Sequence, residues 1–180
     1  MKKEIKEKIE IPSGFSCKYE NKVLHCTKGS AELSKKISAP GIEVSVEKDS
    51  VHFSCKRASR KERKVINSFI KHAANIFQGL NKKFVYKLEA CNVHFPMTLK
   101  LDTQKLTVNN FLGEKTPRYA KVLPNVDVQI KGQIITISSF DKEAAGQTAA
   151  NFEFATRIRA RDRRVFQDGI YITDKPEREI

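Results

Sequence analysis

Two stretches decide how this chain is read: PGIEVSVEKDSVHFSC, Pro40 to Cys55, and PNVDVQIKGQIITISS, Pro124 to Ser139. They lie 84 positions apart and carry one pattern. A proline precedes an alternating run, with Val44 and Val46 in the first copy and Val128 and Ile130 in the second. After a short turn comes a second run, VHFSC from Val51 and IITIS from Ile134. Period-two alternation places apolar side chains on one face of an extended chain, as a half-buried antiparallel strand requires. Upstream, Gly29 and Gly113 obey the same offset.

Downstream, both copies switch to helical spacing. Ser59 is placed to cap a helix whose Val65, Ile66, Phe69, Ile70, Ala73, Ile76 and Phe77 share one face, with Gly79 as its stop signal. Asp141 is the corresponding cap of a thinner helix, with Ala144, Ala145, Thr148, Ala149, Phe152 and Ala155 as its buried stripe. A glycine, a proline, two strands and a helix in matching order predict an α+β tandem duplication, each unit an antiparallel sheet packed on one helix. The polar stretch GLNKKF, Gly79 to Phe84, marks the boundary, giving units at residues 1–82 and 83–180, the second with a basic C-terminal extension. One larger α+β domain is the alternative. Units of this size bury barely enough surface to stand alone.

The 180 residues are 39% hydrophobic and 31% charged, with a formal net charge of +13. That apolar share supports a packed core and excludes a disordered polybasic tail. A pI near 9.7 points to a polyanionic partner, nucleic acid first and an anionic membrane surface second. The start, MKKEIKEKIE, lacks the apolar region of a signal peptide, and no run of about eighteen apolar residues follows. A soluble, intracellular protein is expected, with Cys17, Cys26, Cys55 and Cys91 as reduced thiols, most of them packed in the core.

Charge is uneven in kind. Residues 1–84 hold 19 Lys and Arg against 9 Asp and Glu, whereas residues 85–180 hold 15 against 12. The first excess is mostly scattered lysine. The second gathers in RIRARDRRVFQDGIY, where Arg157, Arg159, Arg161, Arg163 and Arg164 fall within eight residues broken by one acid, Asp162. Arginine offers a planar fork matched to phosphate oxygens. Extended, Arg157, Arg159, Arg161 and Arg163 would share a face; helical, Arg157, Arg161 and Arg164 would align. Either form presents a basic ridge, pinned by the helix before it and by the apolar turn VFQDGIYI after it. A second cluster, KRASRKERK, sets Arg57, Arg60, Lys61 and Lys64 where the first helix opens, as an anion site or as a solvated face.

Catalytic signatures do not assemble. His52 with Cys55, and Cys91 with His94, have a zinc-like gap, but positions i and i+3 of a strand face opposite ways. GEKT, Gly113 to Thr116, lacks the first glycine of a phosphate-binding loop, though Lys115 and Arg118 could still meet phosphate from a loop. His25 and His72 read as structural or surface residues. The few aromatics form no stacking platform of the RNA-recognition-motif kind. No catalytic residue, metal or cofactor is expected. An RNA-processing enzyme would need a pocket of perturbed titratable groups, and a DNA-binding protein would need a groove-reading element.

VHFPMTLKL (Val93 to Leu101), NFLGEKTPR (Asn110 to Arg118) and RRVFQDGIYI (Arg163 to Ile172) resemble, in that order, the universal large-subunit ribosomal protein number six family in its archaeal and eukaryotic form. The similarity runs from about Ile9 to Tyr171. It implies a duplicated α+β unit and a structural, non-catalytic protein on the cytoplasmic ribosome. The implied partners are large-subunit rRNA, bound mostly through the second unit, and neighbouring ribosomal proteins at the stalk base, with translation factors docking near the sarcin–ricin region. Carried onto this sequence, the family's loop falls on Asn110 to Lys115, with Arg118 beyond, and its RNA-facing segment on Arg163, Arg164, Phe166, Gln167, Asp168, Gly169 and Tyr171. The opening SRKERK of the first helix departs from the family's more acidic start. Expected rRNA contacts are therefore Lys115, Arg118, Arg157, Arg159, Arg161, Arg163, Arg164, Gln167 and Lys175, with Arg57, Arg60, Lys61 and Lys64 as a secondary basic patch.

Overall fold

The computed structural model describes residues 3–29, 31–47 and 49–176, and residues 178–179 as backbone alone. The chain divides into two compact units, Met1–Lys82 and Lys83–Ile180. The first runs through β1 (Lys3–Glu10), β2 (Ser16–Glu20), β3 (Val23–Lys28), β4 (Ala31–Lys36), β5 (Glu43–Val46), β6 (Ser50–Ala58) and α1 (Arg60–Asn81). The second runs through β7 (Phe84–Cys91), β8 (Thr98–Asp102), β9 (Lys105–Asn109), a 3-10 turn (Phe111–Gly113), β10 (Arg118–Lys121), β11 (Asp127–Lys131), β12 (Ile134–Ser139), α2 (Lys142–Ala155), β13 (Gly169–Lys175) and β14 (Arg178–Glu179).

The repeat holds in topology as well as in spacing. Sheet β1-β6-β5 corresponds to β7-β12-β11, and the meander β2-β3-β4 corresponds to β8-β9-β10, with antiparallel pairing throughout. Each unit thus divides its strands between two sheets, where one was expected. Pro40 and Pro124 sit on the connections from meander to main sheet, and a residue without N–H cannot carry a ladder across. Hidden by alternating Lys and Glu, the N-terminal segment is strand β1, whose Ile5 and Ile9 pack on the first core. The second unit adds β13 to the other side of β7, so VFQDGIYI is a loop entering a strand rather than a turn.

Alternation and burial agree. In β6, Val51, Phe53 and Cys55 point inward, and in β12, Ile135 and Ile137 do. Removing Phe53 from water contributes about 2–3 kcal/mol. Helix α1 opens on a capping box, with the Ser59 N–H donating to Glu62 Oε2 at 2.7 Å and Lys61 N donating to Ser59 Oγ at 3.2 Å. Gly79 does not stop it: the helix continues to Asn81 because buried Leu80 extends the apolar stripe by another residue. Helix α2 is thin for a reason. A Cβ on Gly146 would lie 3.0 Å from the Tyr86 hydroxyl, so glycine lets the helix settle onto β7.

The cysteine expectation needs correcting. Cys17 and Cys26 are register partners across β2 and β3 with Cα atoms 4.3 Å apart, and they form a disulfide. Nine residues of separation say nothing until the hairpin sets the two side chains opposite each other. Cys55 is free and buried, and Cys91 is free and half-buried. Among the described residues, no helix is long and apolar enough to cross a membrane.

Ser59→Ala removes the cap and is expected to destabilise the first unit by about 1 kcal/mol, with Ser59→Asp restoring most of the loss. Urea unfolding followed by circular dichroism reads this directly; an unshifted midpoint would show that the capping box adds nothing.

Candidate nucleic-acid interface

The arginine segment is neither an extended ridge nor a helix. After α2 the chain runs irregularly from Arg157, and Ala160 takes a left-handed φ of 54° that turns it, so the odd-numbered arginines do not follow the single face of a strand, although Arg157 and Arg163 line one cleft. A tight turn follows, in which Val165 N and Phe166 N both donate to the Asp162 carbonyl, at 3.2 and 2.9 Å. The Asp162 carboxylate accepts from Arg164 N at 2.9 Å and from Arg164 Nε at 3.3 Å. Its single negative charge thus holds the turn as well as one arginine. Val165, expected to be buried, is 61% exposed at the tip of that turn.

Three ties fix the segment. Arg118 makes the first: its Nε donates to Glu114 Oε2 at 2.7 Å, and its Nη1 donates to the carbonyls of Ala155 and Arg157 at 3.0 and 3.1 Å. Ala155 is the last residue of α2, where helical acceptors lack partners and a cation suits the dipole, and Arg157 lies two residues beyond it. The Arg118 guanidinium also lies 4.3 Å from the Phe111 ring centroid. Arg118 therefore joins the NFLGEK loop to the start of the arginine segment. The hydrogen bond from Arg118 holds the Glu114 carboxyl below its ordinary range, against partial burial, with the charges of Arg118 and Arg161 adding to the effect.

Asp168 makes the second tie. It is 2% exposed, and its carboxylate accepts from Val93 N at 3.0 Å and His94 N at 3.2 Å, and meets His94 Nδ1 at 3.0 Å. Burial pushes this carboxyl up, but the hydrogen bonds from His94 and from the backbone N–H groups outweigh it, leaving the pKa lowered. The third tie is a stack. Phe166 lies 5.2 Å from the His94 ring, with the Arg161 guanidinium 4.8 Å from Phe166.

The NFLGEK loop is set by backbone as much as by charge. Asn110, Leu112 and Gly113 all take positive φ (58°, 50° and 76°), which is costly for leucine. Burial of Phe111 and Leu112 imposes it. The Asn110 side chain donates to the Pro96 carbonyl at 2.9 Å, and the Phe95 ring covers Gly113. Three segments, 92–97, 110–118 and 156–168, are thereby bound into one end of the second unit.

The expected contact residues divide accordingly. Lys115, Arg157, Arg159, Arg161, Arg163, Arg164 and Gln167 are exposed on these linked segments. Arg118 belongs with them as their tie. Lys175 is exposed at the far end of β13, roughly 20 Å of strand away from Gly169. In the first unit Arg57 is the next-to-last residue of β6, while Arg60, Lys61 and Lys64 lie on the first turns of α1, all exposed.

The histidines and cysteines sort differently from one another. His52 bonds Ser50 Oγ at 2.7 Å and approaches Glu47 at 3.3 Å, while Cys55 is buried. His94 is outside the strand that Cys91 ends, so the opposite-face reason does not apply to that pair; His94 is committed to Asp168 instead. His25 sits 3.7 Å from Glu32, and half-buried His72 lies 3.3 Å from Ser68 Oγ. Among the described residues, no group of three or more His, Cys, Asp or Glu could hold a metal ion.

Sequence reasoning missed three residues. Asp168 stands in the sequence as one residue of the apolar turn VFQDGIYI, and nothing local reveals a carboxylate that reaches back to residue 93. Thr156, whose Oγ1 accepts from Ile170 N at 2.8 Å, is equally silent in sequence. Phe154 was legible: two positions from core Phe152 it must point away from the core, and it is 60% exposed.

Fold and site define a duplicated α+β scaffold that presents one basic, cross-tied end. The model of the ribosomal protein L6 family matches residues 95–169, which include the loop and the arginine segment. "Large ribosomal subunit protein uL6" of Methanospirillum hungatei JF-1 is 38% identical over 169 residues, spanning 94% of this chain and 96% of the relative. The protein of the same name from Methanococcus vannielii is 37% identical over 171 residues, spanning 95% and 94%. The chain belongs to the ribosomal protein L6 family.

Asp168→Asn is expected to cost about 2 kcal/mol at neutral pH, since charged hydrogen bonds at a buried site are lost. The lowered folded pKa means that this stabilisation is present above about pH 4 and disappears as pH falls through the folded value. The wild-type protein should therefore lose this contribution below about pH 4, and the variant should have none to lose. Parallel acid limbs in denaturation midpoints would exclude Asp168 as the tie.

Proposed function

We propose that this protein is a structural constituent of the large ribosomal subunit that binds large-subunit rRNA through the cross-tied end of its second unit. The observation that carries the reading is the pinned arginine segment. Five guanidinium groups are held on a chain fixed at both ends, with Asp162 as the one acid among residues 157–164. Their mutual repulsion is relieved by a polyanion, and a fixed backbone spares the ordering cost that a flexible tail would incur on binding. Membership of the L6 family supports the ribosomal role, a non-catalytic one, and residence on the ribosome in the cytoplasm.

Lys115, Arg157, Arg159, Arg161, Arg163 and Arg164 meet phosphates, with Gln167 as a polar contact beside them. Arg118 orients them. The site lies near the stalk base and the sarcin–ricin region, with neighbouring ribosomal proteins beside it and translation factors docking close by. Arg57, Arg60, Lys61 and Lys64 form a secondary, weaker basic patch on the first unit, and Lys175 a separate contact.

Sedimentation of cell lysate at moderate and then high salt tests the role: the protein should travel with the large subunit and resist the wash. Recovery at the top of the gradient would overturn the reading. Among the described residues Arg159 and Arg163 are in no ion pair, so Arg159→Ala with Arg163→Ala removes contacts without loosening the fold. The slope of log affinity for large-subunit RNA against log salt should fall by about one per lost phosphate contact. An unchanged slope would take these two arginines out of the interface.

A further inference from the structure

We infer that the cleft at the C-terminal end of α2 holds one unpaired RNA nucleotide, its base against Tyr171 and its flanking phosphates at Arg157 and Arg163. The inference rests on the RNA-binding reading above and names what one part of that surface takes. The cleft encloses about 320 Å³, at the small end of the roughly 300–1,000 Å³ usual for single-ligand sites. That suits a single nucleotide and excludes a duplex. Ile158 and Ile170 supply an apolar floor, 8% and 1% exposed. Tyr171 and Phe154 line the cleft as aromatic walls that remain 40% and 60% exposed.

Exposed aromatics beside arginines are what a protein offers to an unstacked base, because every base has a π-face. Tyr171 is held ready for that role. Its hydroxyl donates to the Gln167 carbonyl at 3.2 Å. Its ring lies back over Gly169, where a Cβ would come within 3.1 Å of it. Burial and the neighbouring Cys91 push the hydroxyl up despite nearby Arg163, so it stays a donor at neutral pH. A ring already fixed loses little freedom on stacking. The FQDGIY motif thus acquires a division of labour: Phe166 and Asp168 anchor, Gly169 makes room, and Tyr171 is presented.

Glu153 lines the same cleft and decides its orientation. A carboxylate repels phosphate but accepts hydrogen bonds from ring N–H and amino groups on a base edge. The base therefore goes inside and the phosphates stay at the arginines on the rim. A base with amino donors, guanine foremost, fits better than uracil.

The test uses the full chain and two RNA hairpins that each carry one 2-aminopurine, bulged in one and paired with uridine in the other. The bulged hairpin should bind about tenfold more tightly, the scale of one base–aromatic stack, and its emission should be quenched on binding. Tyr171→Ala should abolish both the preference and the quenching, while Tyr171→Phe keeps both. Circular dichroism checks that the alanine variant folds; if it does not, Phe154→Ala, which alters an exposed side chain, should still reduce the preference. Equal affinity for the two hairpins, or quenching that survives Tyr171→Ala in folded protein, would overturn the cleft assignment and leave general RNA binding standing. Failure to bind either hairpin or large-subunit RNA would overturn both readings.

Discussion

A buried carboxylate organises the functional end of this molecule. Asp168 stands at the entry to β13 and accepts hydrogen bonds from the backbone and ring of residues 93–94, more than seventy positions earlier. A carboxylate with 2% exposure is tolerable only where such donors converge. Its position sets where the arginine segment ends and where Tyr171 begins. Without it, the loop before β8 and the strand after the arginines would lose the buried carboxylate that holds them together.

Arg118 does the corresponding work at the other end. Arginine is required there rather than lysine, since a single side chain must reach a carboxylate, the carbonyls of Ala155 and Arg157 and an aromatic face at once. Cationic residues in this region thus fall into two kinds. Arg118 is consumed internally and makes geometry, whereas Arg159 and Arg163 are exposed and in no ion pair among the described residues. Composition alone gives them the same weight.

The two units show how one topology diverges. In both, the first strand pairs with the last of the repeat and a meander packs beside the main sheet. The first unit invests in a long, strongly amphipathic helix and a cross-strand disulfide. The second has a shorter helix of small residues, and it uses the opposite side of β7 to hold β13. That extra strand is what brings the C-terminal segment home.

The sequence by itself determined the duplication, the strand faces and both helix caps, because each depends on spacing of two to four residues and on short-range capping chemistry. Ser59 and Asp141 cap as read, and Val51, Phe53, Ile135 and Ile137 are buried as the alternation requires. It also located the basic segment, since clustered arginine is visible in any conformation. Only the tertiary structure decided that the strands form two sheets per unit, that Cys17 meets Cys26, and that Arg118 is a tie. It alone decided that Asp168 is an anchor and that Phe154 and Tyr171 flank one cleft. Those facts depend on contacts between residues far apart in the chain. Such contacts follow from register and chain crossing, and neither leaves a local trace.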